Sequence, residues 1–245
     1  MKRKGILIVV SGFSGAGKGT LMKELLKQYD NYALSISATT RKAREGEEDG
    51  REYFFKTVEE FEKMIAKDEL IEYARYVGNY YGTPRAYVEE QLEAGKDVIL
   101  EIEIQGALKV KEKYPDTLLL FVTPPSAKEL ERRLVGRGTE TMEVIASRMK
   151  RATEEAEIMS AYDYIVVNDE LDICVKETHN IIQSEHNRVF RNKDFMNQIE
   201  EELKGKSKDY VTPIIYRFDE SSKPRCRGRC NKDCKQPLFY RACYI

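Results

Sequence analysis

Four apolar runs punctuate the chain: Ile6-Leu7-Ile8-Val9-Val10, Val98-Ile99-Leu100 at the head of a longer segment to Ile104, Leu118-Leu119-Leu120-Phe121-Val122, and Tyr164-Ile165-Val166-Val167. Each is too short to cross a membrane, and a continuous apolar strand is what a sheet covered on both faces requires. Residues 32–37 alternate like a further short strand, and Tyr53-Phe54-Phe55 reads as another. Between these runs the period changes to that of a helix. Leu21, Leu25 and their neighbours follow the first strand. Phe61, Met64 and Ile65 lie on one face behind the capping residue Thr57, and Val88 and Leu92 share a face that Gly95 ends. Helices are also predicted over 105–113, from Ser126 to about Met159 with a break at Gly136-Arg137-Gly138, and from Asp172 onward, where Cys174 and Ile181 share a stripe. Residues 70–74, 76–77 and 80–81 around the turn Gly78-Asn79 suggest a small β-rich insert. Strands alternating with helices predict an α/β fold with a parallel sheet covered on both faces.

Strand alternation carries two further expectations. In 98–104, Leu100, Ile102 and Ile104 share one face while Glu101 and Glu103 share the other. In 70–74, Ile71 points inward and Glu72 outward.

Composition narrows the partners. Charged residues make up 34% of 245 residues and the formal net charge is −1, so a partner held by overall charge, such as duplex DNA, is not indicated. The start, Met1-Lys2-Arg3-Lys4 before the aliphatics, has the outline of a secretory signal. Its apolar run enters a glycine-rich loop rather than a small-residue cleavage site, and a soluble, cytoplasmic protein without membrane contact is expected. Cys174 stands alone until Cys226, Cys230, Cys234 and Cys243 crowd the end.

The glycine-rich loop carries the first chemistry. Gly12-Phe13-Ser14-Gly15-Ala16-Gly17-Lys18-Gly19-Thr20 joins a strand to a helix, the setting that makes such a loop a phosphate cradle. Glycines let successive backbone N–H groups curl around an anion, the helix presents its positive end, and Lys18 adds a mobile charge. Gly19 stands where the strict pattern has the Ser or Thr that contacts Mg²⁺, and Thr20 follows. The loop indicates a nucleotide without indicating a reaction.

The chain resembles guanylate kinases of the nucleoside monophosphate kinase group. The resemblance rests on residues 12–20, Ser37 through Arg44, Gly50 to Tyr53, Ile71-Glu72, Gly78 through Thr83, Pro124-Pro125-Ser126, Gly136 through Thr139 and Val167-Asn168-Asp169, in family order. It implies a P-loop NTPase fold with a three-layer core over 5–187. Residues 5–36, 90–124 and 161–187 would form the core, 37–89 a GMP-binding insert and 125–160 a helical lid, leaving 188–245 as an extension without counterpart. It further implies transfer of the γ-phosphoryl of ATP to GMP (dGMP being a second candidate acceptor), with Mg²⁺. A catalytically silent binding module of this fold and a kinase for a ribose bisphosphate are the rival readings.

The family's roles fall on residues whose chemistry suits them. Phosphoryl transfer needs cations that hold donor and acceptor phosphates in line. Ser14, Gly15, Ala16, Gly17, Lys18, Gly19 and Thr20 would hold ATP, with Asn168 near the adenine. Arg41 and Arg44, with the phenols of Tyr53 and Tyr81, would grip the phosphate of GMP, because an arginine fork matches phosphate oxygens. Glu72 would accept from guanine N1–H and the exocyclic amine, and Ser37 and Thr83 would donate to O6. Adenine reverses this pattern and would leave a carboxylate unpaired. Glu103 stands where the family usually has aspartate, near the base and metal region, and Glu101 and Thr20 would meet Mg²⁺ mainly through its waters. Lys18, Arg41, Arg133, Arg137 and Arg148 are the candidate catalytic cations, the last three from the lid. No role falls to Lys128, Arg132, His179 or His186.

In the extension, 197–206 reads as a short helix and 211–218 as a strand. Residues 223–241 carry seven basic side chains against one acidic. Cys226, Cys230, Cys234 and Cys243 are a candidate zinc set without the usual paired spacing; nucleic-acid contact and an accessory tail are the other readings.

Overall fold

The computed structural model describes residues 3–76, 78–136 and 141–210. Five strands, β1 (Leu7–Gly12), β2 (Tyr32–Leu34), β7 (Asp97–Glu101), β8 (Leu118–Thr123) and β9 (Tyr164–Val167), form an all-parallel sheet in the order β2-β7-β1-β8-β9. Four further strands, β3 (Ala38–Thr39), β4 (Phe54–Phe55), β5 (Leu70–Tyr76) and β6 (Asn79–Pro84), form a second, smaller sheet, β4-β3-β6-β5. The helices are α1 (Lys18–Gln28), α2 (Val58–Ala66), α3 (Arg85–Glu93), α4 (Ile104–Lys113), α5 (Ala127–Gly136), α6 (Met142–Ala156), α7 (Leu171–Glu185) and α8 (Lys193–Tyr210).

The main sheet is apolar on both faces for a reason visible strand by strand. Ile8 and Val10 of β1, Ile99 of β7 and Leu118 and Leu120 of β8 join Leu21, Leu25, Val175 and Ile182 from α1 and α7. Their alternates, Val9, Val98, Leu100 and Leu119, pack against Val88, Ala107 and Val110 from α3 and α4. β2, β7, β1 and β8 thus feed two cores, the three-layer arrangement expected of a parallel sheet, whereas the edge strand β9 buries Val166 and leaves Ile165 and Val167 exposed, against the two-sided burial expected of its apolar run. The small sheet has its own core of Ala38, Phe61 and Leu70. Thr57 caps α2 in a reciprocal box with Glu60, which aims Phe61 inward until it is fully buried.

Two elements end earlier than their patterns suggest. β2 stops at Leu34, and β7 stops at Glu101. Glu103 therefore shares no strand face with Glu101; it is the N-cap residue of α4, with an exposed side chain. The strand pattern fails there because the chain turns into a helix that buries Ile104 instead. The compact unit runs to Asn192, a few residues past the expected limit, and Lys193 begins a second unit. Arg191 donates to the Asp116 carbonyl at 2.7 Å and Asn192 to the His186 carbonyl at 2.8 Å, which secures this end of the first unit. In the second unit, α8 is longer than the helix expected over 197–206. The expected strand 211–218 and the cysteine cluster lie outside the described residues.

Candidate active site

The loop between β1 and α1 is held in a conformation that its glycines permit. Gly12 has φ +147°, and a Cβ there would lie 2.0 Å from the Val122 carbonyl oxygen of β8. Gly17 has φ +89°, and its Cβ would lie 2.5 Å from Nδ2 of Asn168. Gly19 faces open space. Ser14, Gly15, Gly17, Lys18, Gly19 and Thr20, with Glu101 at the end of β7, line a cleft of about 270 Å³. No acidic residue in the first turn of α1 offsets the positive helix end that faces this cleft. Lys18 Nζ donates to the carbonyls of Gly12 at 2.8 Å and Phe13 at 3.2 Å, bending the side chain over the loop. Glu101 is open to solvent on the cleft side yet crowded by its walls; desolvation raises its carboxyl, and Lys18 pulls it back down.

The helices after β8 bring arginines to the same loop. Ser126 accepts from the Glu129 N–H and starts α5, whose buried Leu130 and Leu134 pack over Gly15. Arg133 lies on the next face, donating to Glu129 at 2.7 Å and to the Ala16 carbonyl at 3.3 Å. Arg132 and Arg133 together hold the Glu129 carboxyl down at about 2. From α6, Arg148 donates to Ser14 Oγ at 2.8 Å. Arg151, three residues on, diverges to Glu103 at 2.5 Å and Glu155 at 2.9 Å. Glu103, expected near the base, is thus engaged by an arginine of α6. Arg137 lies outside the described residues. Asn168 is buried and donates through Nδ2 to the Ala16 carbonyl at 2.8 Å, so it braces the loop directly.

The small sheet gathers the residues expected on the acceptor side. Arg41 follows β3, with its guanidinium 5.3 Å from the Tyr53 ring centre. The Tyr53 and Tyr81 rings stand edge to face at 6.1 Å. Arg44 is exposed in the loop that follows Arg41, and Ser37 is half-buried just before β3. Glu72 departs from the outward orientation that alternation implies. The β5–β6 register slips between Leu70 and Tyr73, and such a bulge turns neighbouring residues to one side. Ile71 accordingly packs with Ala107 and Val110 of α4, and Glu72 Oε2 faces Gly106 of the same helix, 3.6 Å from where a Cβ would stand. Thr83, fully buried, donates to Glu72 Oε1 at 2.8 Å. Its proton is therefore turned to the carboxylate rather than presented to a base as expected. Desolvation raises the Glu72 carboxyl, while Thr83 and Lys109 oppose the shift.

The family model for guanylate kinase matches residues 4–185. The chain belongs to the guanylate kinase family. The guanylate kinase of Lactococcus lactis is 54% identical over 191 residues, covering 78% of this chain and 93% of that protein. That of Halalkalibacterium halodurans is 56% identical over 185 residues, covering 76% and 91%. The crystal structure of guanylate kinase from Anaplasma phagocytophilum superposes with a TM-score of 0.61 at 34% identity, covering 78% of this chain and 90% of that one. The described helices include none long and apolar enough to cross a membrane.

Within this guanylate kinase fold, sequence reasoning missed Glu47, Gly106 and Lys109. Glu47 is bidentate with Arg41, but in sequence it is one of several acids in a charged loop, with nothing to separate it from Glu45, Glu48 or Asp49. Gly106 has a readable signal, a glycine inside a helix, where alanine is ordinarily better by about 1 kcal/mol.

Proposed function

We propose that this chain transfers the γ-phosphoryl of ATP to GMP, giving ADP and GDP. The observation that carries the proposal is the carboxylate of Glu72, desolvated, fixed by Thr83 and backed by a side-chain-free position at Gly106, in the same small sheet as the Arg41–Tyr53–Tyr81 cluster. A buried acceptor-only group costs free energy unless a ligand brings donors, and guanine offers two, N1–H and the exocyclic amine. Arg41, Arg44, Tyr53 and Tyr81 would hold the acceptor phosphate, and Ser37 lies at the entrance to the same sheet.

On the donor side, the loop from Ser14 to Thr20 would hold the phosphates of ATP. Lys18 would leave the carbonyls of Gly12 and Phe13 for phosphate oxygens, and Arg133 and Arg148, already at the loop, would neutralise charge spreading over the transferred group. Arg137 belongs to this set by its place in the family motif. Asn168 would act mainly by shaping the loop. The acceptor oxygen of a phosphate monoester is ionised near neutral pH, so the step needs no protein base. Residues 37–89 would act as the acceptor-binding part and 125–160 as the lid that keeps water from competing as acceptor.

Thr20 and Glu101 share the cleft with the loop and offer the hard oxygen donors that Mg²⁺ prefers, directly or through water. Bound with ATP, Mg²⁺ supplies charge neutralisation on the phosphate oxygens. Among the described residues, no three His, Cys, Asp or Glu side chains converge as a metal cage.

An ADP-release assay with Mg·ATP and GMP, dGMP, AMP, CMP or UMP tests the proposal. GMP is expected to be favoured over AMP by roughly 10⁴ in kcat/KM, the discrimination a hydrogen-bonding base site reaches. Absence of GMP-dependent turnover would overturn it, and GMP binding without turnover would point to a silent binding module.

A further inference from the structure

We infer that Glu47 is a positioning residue that sets Arg41 for the acceptor phosphate; the inference rests on the reading of the small sheet as the GMP site. Glu47 Oε1 accepts from Arg41 Nη2 and Oε2 from Nη1, both at 2.9 Å. The same Oε2 accepts from the backbone N–H of Arg44 at 2.8 Å, while the Glu47 N–H donates back to the Arg44 carbonyl at 3.1 Å. One carboxylate thus ties the guanidinium of the first arginine to the backbone of the second. The Arg41 and Glu47 side chains are only 16% and 17% exposed, unlike the neighbouring Arg51–Glu48 pair at 53% and 69%.

The geometry explains why a carboxylate in an anion site can assist rather than compete. A guanidinium carries five N–H donors. Glu47 uses the two terminal nitrogens and leaves the Nε side out of the pair, and Arg41 is further fixed by the Lys42 carbonyl at 2.7 Å and by the Tyr53 ring beneath it. An arginine braced in this way enters a phosphate contact with its rotamers already chosen, and the ordering cost is met before substrate arrives. The Arg41–Glu47 pair also lowers the Glu47 carboxyl, so the brace is ionised throughout the neutral range.

The test compares Glu47→Gln with wild type by calorimetric binding of GMP and of guanosine, which lacks the phosphate, and by steady-state kinetics. Glu47→Gln is expected to weaken GMP binding and raise its KM about tenfold, what one charge-assisted hydrogen bond is worth, with guanosine affinity, KM for ATP and Tm unchanged. Glu47→Asp is expected to recover part of the loss by restoring the charge. Glu48→Gln, the exposed neighbour, is the control and is expected to match wild type. Equal loss of GMP and guanosine binding would assign Glu47 to loop folding and overturn the inference. Tighter GMP binding would make Glu47 a competitor for the phosphate slot and overturn it too, as would no change. A wild-type protein that binds no GMP would instead refute the reading of the site itself.

Discussion

Thr83 Oγ1 donates a 2.8 Å hydrogen bond to Glu72 Oε1 inside the small sheet. Thr83 has one proton to give, so this bond orients the carboxylate and leaves Glu72 with unused acceptor capacity toward the ligand. Replacing Glu72 with Gln keeps the shape but puts donors opposite the donors of guanine. Two charge-assisted hydrogen bonds are at stake, so Glu72→Gln is expected to lower kcat/KM for GMP by roughly 10²–10⁴. Mg·ATP binding, followed by fluorescence or calorimetry, is expected to persist. Unchanged efficiency for GMP would remove Glu72 from the base site.

The same residue sets a pH dependence. Its carboxyl is raised above the ordinary 4.5 by desolvation, with Thr83 and then Lys109 opposing. Between 4.5 and the raised value, the ligand-free fold holds the proton that guanine needs removed. GMP affinity should therefore fall as pH drops through the raised value, and binding in that window should release a proton, read as a buffer-dependent binding enthalpy. The effect on folding runs the other way. A raised acid contributes stability below its unfolded pKa and loses it as pH rises through the folded one, so Glu72→Gln should leave Tm unchanged in acid and raise it near neutrality. A Tm difference independent of pH would show that the carboxylate is not desolvated.

These two residues also show what was legible in the sequence. The parallel sheet was, because Ile8, Leu100 and Leu120 sit in runs whose burial on both faces dictates their composition. The identities of Glu72 and Thr83 were legible as motif members, but their geometry was not. A bulge breaks the alternation at Leu70 to Tyr73, and a register slip leaves no trace in local pattern. The strand face expected to be shared by Glu101 and Glu103 failed for a similar reason, since the strand-to-helix change between them is decided by packing of Ile104. Partners distant in sequence were least visible: Arg148 with Ser14, Asn168 with Ala16, and His186 with Asp97.

Glycines of the phosphate loop should not be equivalent. Gly17→Ala forces a left-handed backbone on a residue with a Cβ and drives that Cβ into the Asn168 amide, which is itself tied to Ala16. A cost of about 1–3 kcal/mol in stability, read by urea denaturation, and loss of ATP binding are expected. Gly19→Ala meets open space at a helical position and should cost nothing, with a gain of up to ~1 kcal/mol from helix propensity. Equal losses at both positions would mean that the loop's shape is not what these glycines preserve.

Arg148 reaches the loop at Ser14 without filling the core, whose packing from α5 and α6 includes Leu130, Leu134 and Ile145. Arg148→Ala should therefore act on the reaction and not on the fold. A loss of roughly 10³ in kcat is expected, the lower range for an arginine that stabilises a transferring phosphoryl group, with Tm within a few degrees of wild type. An unchanged kcat would reduce Arg148 to a loop contact.

At the opposite end of the sheet, His186 Nε2 lies 2.7 Å from Asp97 Oδ1, with both side chains almost wholly buried. Asp97 opens β7 and also accepts from the Ile6 N–H at 2.8 Å and from Asn31 at 3.3 Å, so one carboxylate joins β1, β7 and the end of α7. Removing one member of a buried pair leaves the other uncompensated, and His186→Ala is expected to cost about 3–5 kcal/mol. Burial raises the Asp97 carboxyl against the opposing Ile6 N–H, Arg3, Asn31 and Arg191. A raised acid favours folding below its unfolded pKa and loses that contribution as pH rises through the folded value. The His186→Ala penalty should accordingly grow from acid toward neutral pH, where Asp97 must be charged without its imidazole partner. Kinetic constants per folded molecule should not change, because the parallel strands carry the phosphate loop at their other end. Denaturation of His186→Ala, Asp97→Ala and the double variant across pH would measure this: a double loss equal to the sum of the singles would show the two residues to be independent.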